Sequence, residues 1–148
     1  MRCRGCAEAL RHVFVDLGTA PPSNAYITAD RLRSGEIHLP LRVLVCERCW
    51  LVQTEDHTGA DDLFDDEYGY FSSMSTSWLD HCRRYTDTVV ERFGLGPESF
   101  VVEVAANDGY LLQYFVERSI PCLGIEPTAG TAAAARRRGV DVVEAFFG

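Results

Sequence analysis

Apolar and polar positions along this chain fall into three stretches of different period, and each predicts a different arrangement of elements. His12–Leu17 and Leu39–Val45 read as strands, and Trp50–Thr54 as a third, because short β-rich runs lie between turn residues such as Gly18 and the Ala20–Asn24 cluster. Ala29–Gly35 reads as no more than a helical turn. From Ser77 to Phe93, the apolar residues Trp78, Leu79, Cys82, Tyr85, Val89, Val90 and Phe93 return every three or four positions. That spacing predicts an amphipathic helix, stopped by Gly94 and Gly96-Pro97. Beyond it the pattern alternates: strand Phe100–Ala105, helix Tyr110–Arg118, strand Pro121–Glu126, helix Thr128–Arg138, strand Val140–Glu144. Strands and helices in strict alternation predict an α/β sheet of the doubly wound, Rossmann-like kind, with the first strand left as an apolar edge.

The six cysteines sharpen the first third. Cys3/Cys6 and Cys46/Cys49 form two Cys-x-x-Cys pairs, whereas Cys82 and Cys122 stand alone and read as small core hydrophobes. A Cys-x-x-Cys turn brings two thiolates to one side of a loop, and two such turns complete a closed tetrahedral zinc site. The competing readings are a dithiol redox centre, which would open a helix after a strand, and unrelated buried thiols. Cys46–Cys49 instead sits between two predicted strands, as a knuckle at a hairpin tip. A β module of about 55 residues has little core of its own, so metal would supply folding energy directly. The domains expected are therefore a zinc-binding domain over 1–55, an acidic linker and bridging helix over 56–97, and a sheet domain over 98–148.

Charge and composition change the picture less. The chain has 148 residues with a net charge of -8, and its 14 basic residues are all Arg. An acidic surface argues against nucleic acid as a partner. No apolar run is long enough for a membrane span or a signal peptide, so the expectation is a soluble, cytoplasmic protein with reduced thiols. The stretch 55–67 carries seven acids in thirteen positions and reads as a solvated linker and helix start. Tyr68-Gly69-Tyr70-Phe71-Ser72-Ser73, which follows it, is too rich in aromatic and hydroxyl groups for a plain linker.

The turn after the first α/β strand carries the candidate chemistry. In Glu103-Val104-Ala105-Ala106-Asn107-Asp108-Gly109 only the last residue is glycine, so the close backbone approach that a dinucleotide pyrophosphate requires is disfavoured. Acidic Glu103 with Asn107-Asp108-Gly109 suits a cationic, phosphate-free ligand. Glu126, at the end of the next strand, can accept both hydroxyls of a ribose. Plainer readings stand beside these: Glu103 paired with an Arg, Asp108 as a helix N-cap, and Tyr68 and Tyr70 as packing between modules.

With these residues in view, the turn resembles the first motif of class I S-adenosylmethionine-dependent methyltransferases. The whole chain is similar to the N-terminal part of the sugar C-methyltransferases that carry a zinc-binding domain. The resemblance runs in order through Cys3-x-x-Cys6, Asp16-Leu17-Gly18 with Pro21 and Asn24, and Cys46-x-x-Cys49 with Leu51-Val52-Gln53. It continues through Tyr68–Ser73 and the 103–109 turn to Gly124-Ile125-Glu126-Pro127. It implies structural zinc on Cys3, Cys6, Cys46 and Cys49. It implies a cofactor pocket for S-adenosylmethionine drawn from Glu103, Ala105, Asn107, Asp108, Gly109, Glu126 and Pro127. Tyr68 and Tyr70 would then lie on the substrate side, facing a nucleotide-linked deoxy-ketosugar. The family usually has Gly where this chain has Ala105, and a methyl there narrows the turn. The resemblance also implies that the catalytic base lies beyond the third strand. The chain is therefore expected to be an N-terminal fragment of a transferase, inactive alone and partnered by its missing C-terminal half. The alternative is a non-catalytic, zinc-stabilised binding or regulatory module.

Overall fold

The computed structural model describes residues 1–64 and 68–148, so the last three acids of the 55–67 run lie outside the described residues. The chain divides into two compact units, Met1–Leu63 and Phe64–Gly148.

The first unit is a three-stranded antiparallel sheet in the order β1-β2-β3, formed by His12–Ala20, Leu39–Val45 and Val52–Thr54. β2 and β3 are the two arms of the hairpin whose tip carries Cys46 and Cys49. Trp50 was expected in the third strand but belongs to the tip: its φ is 63°, a left-handed conformation no strand accommodates. β1 slips register between Asp16 and Thr19, where Gly18 takes a φ of 79° and donates its N–H to Asp16 Oδ1 (2.9 Å). Ala29–Arg31 is a single 3-10 turn, and the short α1, Ala60–Leu63, closes the unit. Among the described residues, its buried apolar residues are Cys3, Leu44 and Cys46, whereas Cys82 and nine others serve the second unit. Among its described residues the small module therefore has little core beyond its cysteines and Leu44.

The second unit opens with the long helix α2, Thr76–Phe93. Ser75 Oγ caps its start by accepting Trp78 N–H (3.3 Å), and Gly94 ends it in the left-handed conformation (φ 62°) with its N–H on Val90 O. Three parallel strands follow, β4 Val101–Val104, β5 Cys122–Ile125 and β6 Asp141–Val143, in the order β4-β5-β6 with β4 at the edge. Between them run α3, Gln113–Val116, and α4, Ala129–Arg137.

Register places Val101, Glu103, Cys122, Gly124 and Val142 on one face of this sheet. That face packs on the buried cluster of Ala106, Leu112, Phe115, Ile120, Ala135 and Val140. Close approach there requires small residues. A Cβ on Gly124 would meet Ala106 Cβ at 2.8 Å, and one on Gly109 would lie 3.1 Å from Ala135 Cα. The predicted helix at Tyr110–Arg118 is shorter than expected, because i to i+3 bonds such as Tyr114 N–H to Leu111 O (3.1 Å) and Arg118 N–H to Phe115 O (3.0 Å) tighten both ends. No described helix is long and apolar enough to cross a membrane.

Candidate functional site

The metal centre is built from two loops with the same backbone. In the first, Cys3 N–H donates to Glu8 O (2.8 Å) and Ala7 N–H to Cys3 O (2.9 Å); in the second, Cys46 N–H donates to Leu51 O (3.0 Å) and Trp50 N–H to Cys46 O (2.9 Å). Each loop turns by placing the residue after its second cysteine in the left-handed region, Ala7 at φ 59° and Trp50 at φ 63°. Non-glycine residues there cost about 1–2 kcal/mol each, so both loops are held against local preference.

The outcome is that the four Sγ atoms of Cys3, Cys6, Cys46 and Cys49 lie within 4.8 Å of one another. Cys3 and Cys49 are 3.5 Å apart and Cys6 and Cys46 3.6 Å, crossing between the loops. These separations are far beyond a disulfide bond of about 2.05 Å. They are near the roughly 3.8 Å edge of a tetrahedron with zinc–sulfur bonds of about 2.3 Å.

The protons on this cluster favour a cation. The Gln53 amide donates to Cys3 Sγ (3.3 Å) and is the main reason its thiol is pulled down to about 6, with the Cys6 and Gly5 backbone N–H groups adding to the effect. For Cys6, a bond from the Glu8 backbone lowers the value, but burial and the three neighbouring thiols outweigh it and push the group up to about 12. Four thiolates cannot coexist at this spacing without positive charge between them, and a divalent metal supplies it while releasing protons.

Gln53, which enters the reading of the sequence only as part of the Leu51-Val52-Gln53 run, takes a place beside the cysteines that the sequence did not assign. It is buried, donates to Cys3 Sγ, and is oriented by the Arg4 N–H, which donates to its Oε1 (3.0 Å). Only the strand alternation that turns it inward, between exposed Val52 and Thr54, could have signalled it. Gln53→Leu is expected to weaken zinc binding by about 10–100-fold with all four cysteines intact, as read by competition with a chromogenic chelator.

In the second unit a cavity of about 380 Å3 opens at the carboxyl ends of β4 and β5. Of the predicted cofactor residues, Ala105, Asn107, Glu126 and Pro127 line it, and Tyr68 and Tyr70 line it as well. Tyr110, which was not singled out, also lines it, together with Phe146 and Phe147 near the last residue. No basic residue is among the described lining side chains. The backbone turns over this floor through Ala105 at φ 59° and Asn107 at φ 50°. Ala105 therefore occupies a left-handed position, which glycine adopts freely, and its methyl adds strain as well as bulk.

The remaining three predicted residues sit around the cavity rather than on its surface. Glu103 lies on the helix-covered face, hydrogen-bonded to Tyr110, and its Oε2 is buried with no partner among the described residues. Burial raises its carboxyl to about 7; the charge on Glu126 adds to the shift and the Tyr110 bond opposes it. It has no Arg partner among the described ion pairs. Asp108 is fully buried and takes Ser73 and Arg138 instead of capping a helix; the N-cap of α3 is Leu112, with no side-chain cap. Gly109 carries the close approach to α4.

Glu126 is nearly buried and already engaged on both oxygens. Oε2 accepts Asn107 N–H (2.8 Å), and Oε1 accepts Thr128 N–H (3.1 Å) and Thr128 Oγ1–H (2.6 Å). The carboxylate thus ties the first turn to the start of α4, and a ligand would meet only its remaining lone pairs.

Residues 3–64 match the family described as "Putative zinc binding domain". Over 145 residues the chain is 33% identical to the C-methyltransferase NovU of Streptomyces niveus, an alignment that takes in 98% of this chain. The chain spans 34% of that protein's length.

Proposed function

We propose, for a chain whose first domain belongs to a zinc-binding family and whose whole span resembles a C-methyltransferase, that it holds S-adenosylmethionine for C-methylation of a nucleotide-linked deoxy-ketosugar. In this reading residues 64–148 are one half of a Rossmann-like methyltransferase domain. The observation that carries it is the cavity of about 380 Å3 at the strand ends, with acidic groups around its floor and no basic residue among its described lining. That volume is within the range of small-molecule sites, and the charge suits a cation rather than a pyrophosphate.

When bound, S-adenosylmethionine supplies an electrophilic methyl group on a positively charged sulfur. The protein's own contribution is placement. Glu126 offers its remaining lone pairs to the ribose hydroxyls, and Tyr68 and Tyr70 line the cavity on the substrate side. A tyrosine hydroxyl is of the type that hydrogen-bonds a sugar or its enolate. Glu103 sets the field beneath the site. The groups around it are Tyr110, Glu126, Cys82 from α2 and Cys122 from β5, none of them a cation.

The sign of a pH dependence follows. Glu103 is neutral in the empty site below about 7 and ionised above it. A cationic ligand favours the ionised form, so its binding strengthens as pH rises through about 7 and releases a proton below that. Calorimetric titration should show one S-adenosylhomocysteine bound per chain. Affinity for S-adenosylmethionine should rise between pH 6 and pH 8 by about ten-fold more than that for S-adenosylhomocysteine, whose sulfur is uncharged. No binding of either compound would remove the cofactor reading. Parallel pH profiles for the two would remove the role given to Glu103.

A further inference from the structure

The segment that carries both cavity-lining tyrosines is irregular. From Tyr68 to Phe71 it forms neither helix nor strand, and only a 3-10 turn at Ser72–Met74 follows before α2. A backbone without regular structure has to find partners elsewhere, and here they come from the turn after β4. Asn107 reads the segment on both sides: Ser72 N–H donates to its Oδ1 (2.9 Å), and its Nδ2 donates to Tyr70 O (3.0 Å). The next residue, Asp108, accepts Ser73 N–H (3.4 Å) and the Ser73 hydroxyl on Oδ2.

Arg138, from the end of α4, closes the arrangement. Its Nη2 donates to Ser73 Oγ (2.6 Å), while Nη1 donates to Asp108 O and pairs with Asp108 Oδ2 (3.4 Å). The guanidinium therefore holds the segment and the turn at once, a two-pronged contact that a lysine cannot copy. Asp108, Ser73 and Arg138 are not among the residues lining the cavity.

We propose that Asn107, Asp108 and Arg138 are a latch that fixes Tyr68–Ser73 as the movable wall of the cavity, so that occupation of the cavity and closure of the wall favour each other. The proposal rests on the cofactor reading for the identity of the occupant, but not for the latch itself. Its residues are positioning residues. They hold the tyrosines in place; Asp108 and Arg138 do so from outside the cavity, and Asn107 from its lining.

The test uses the full 148-residue chain with Ser73→Ala, Arg138→Met and Arg138→Lys, followed by hydrogen exchange across residues 68–74 and by titration with S-adenosylhomocysteine. Loss of a charge-assisted hydrogen bond corresponds to about ten-fold in an opening equilibrium. Exchange across 68–74 should therefore speed up about ten-fold in Ser73→Ala and Arg138→Met, and less in Arg138→Lys, while α4 keeps its wild-type protection. S-adenosylhomocysteine should bind about ten-fold more weakly to the first two variants and should slow exchange of the wall in the wild type. Unchanged exchange across 68–74 would overturn the latch. So would equal loss of protection across β4 and α4, which would mark the three residues as general support. If the wall opens faster but affinity is unchanged, the link between wall and cavity is wrong. If the wild type binds no S-adenosylhomocysteine yet the wall still opens in the variants, the latch stands and the cofactor reading fails.

Discussion

Stripping the metal from this protein with a strong chelator should unfold residues 1–63 and leave 64–148 folded. Apparent binding free energies of structural zinc, about 10–16 kcal/mol, exceed what a small sheet can supply from its own core. In the first unit that core consists of Leu44 and two of the metal-binding cysteines themselves. Both loops also carry a strained left-handed residue, Ala7 and Trp50, so without the ion they have reason to open. Hydrogen exchange read segment by segment should show protection lost across β1, β2 and β3 and retained across α2, β4 and α4. Elemental analysis should find one zinc per chain before treatment and well below one in Cys46→Ser. Retention of full protection across the three strands after complete zinc removal would show that the sheet is self-sufficient.

Replacement of Glu126 by alanine should be the most damaging single change in the second unit. It deprives the Asn107 N–H, the Thr128 N–H and the Thr128 hydroxyl of their acceptor in a buried place. At about 1–3 kcal/mol for each buried donor left unsatisfied, the expected loss is about 3–5 kcal/mol in a urea titration. S-adenosylhomocysteine binding should disappear as well. Glu126→Gln separates the two effects, because its carbonyl oxygen keeps one of the two braces while the amide opposes the other. It should fold with an intermediate loss and still bind poorly. Wild-type affinity in a folded Glu126→Gln would exclude this carboxylate from the ribose contact, whatever its part in the fold.

The sequence and the structure agree where the signal is local. The period of Trp78, Cys82, Tyr85 and Val89 marks α2, and Gly94 marks its end, because helix spacing and a left-handed stop are properties of consecutive residues. The hairpin that presents Cys46 and Cys49 is likewise written in its flanking strands. Trp50 and the Tyr110–Arg118 stretch departed from expectation because hydrogen bonds specific to their loops overrode propensity: Trp50 N–H to Cys46 O at 2.9 Å in one, and i to i+3 bonds in the other. The acidic turn was legible as a set of residues but not as a set of roles. Ala105, Asn107 and Glu126 reach the cavity, while Asp108 turns to Ser73, 35 positions away, and to Arg138, 30 positions away.

Taken alone, the sequence determined the two Cys-x-x-Cys turns, the order of the main strands and helices and the acidic turn at 103–109, since each depends on residue type and spacing along the chain. Only the tertiary structure decided that Gln53 faces Cys3, that Glu126 braces two turns as well as lining a cavity, and that Arg138 holds Ser73 across 65 positions of sequence. Those facts depend on which side chains meet once the strands have paired, and a hydrogen bond between distant residues leaves no period in the chain that makes it.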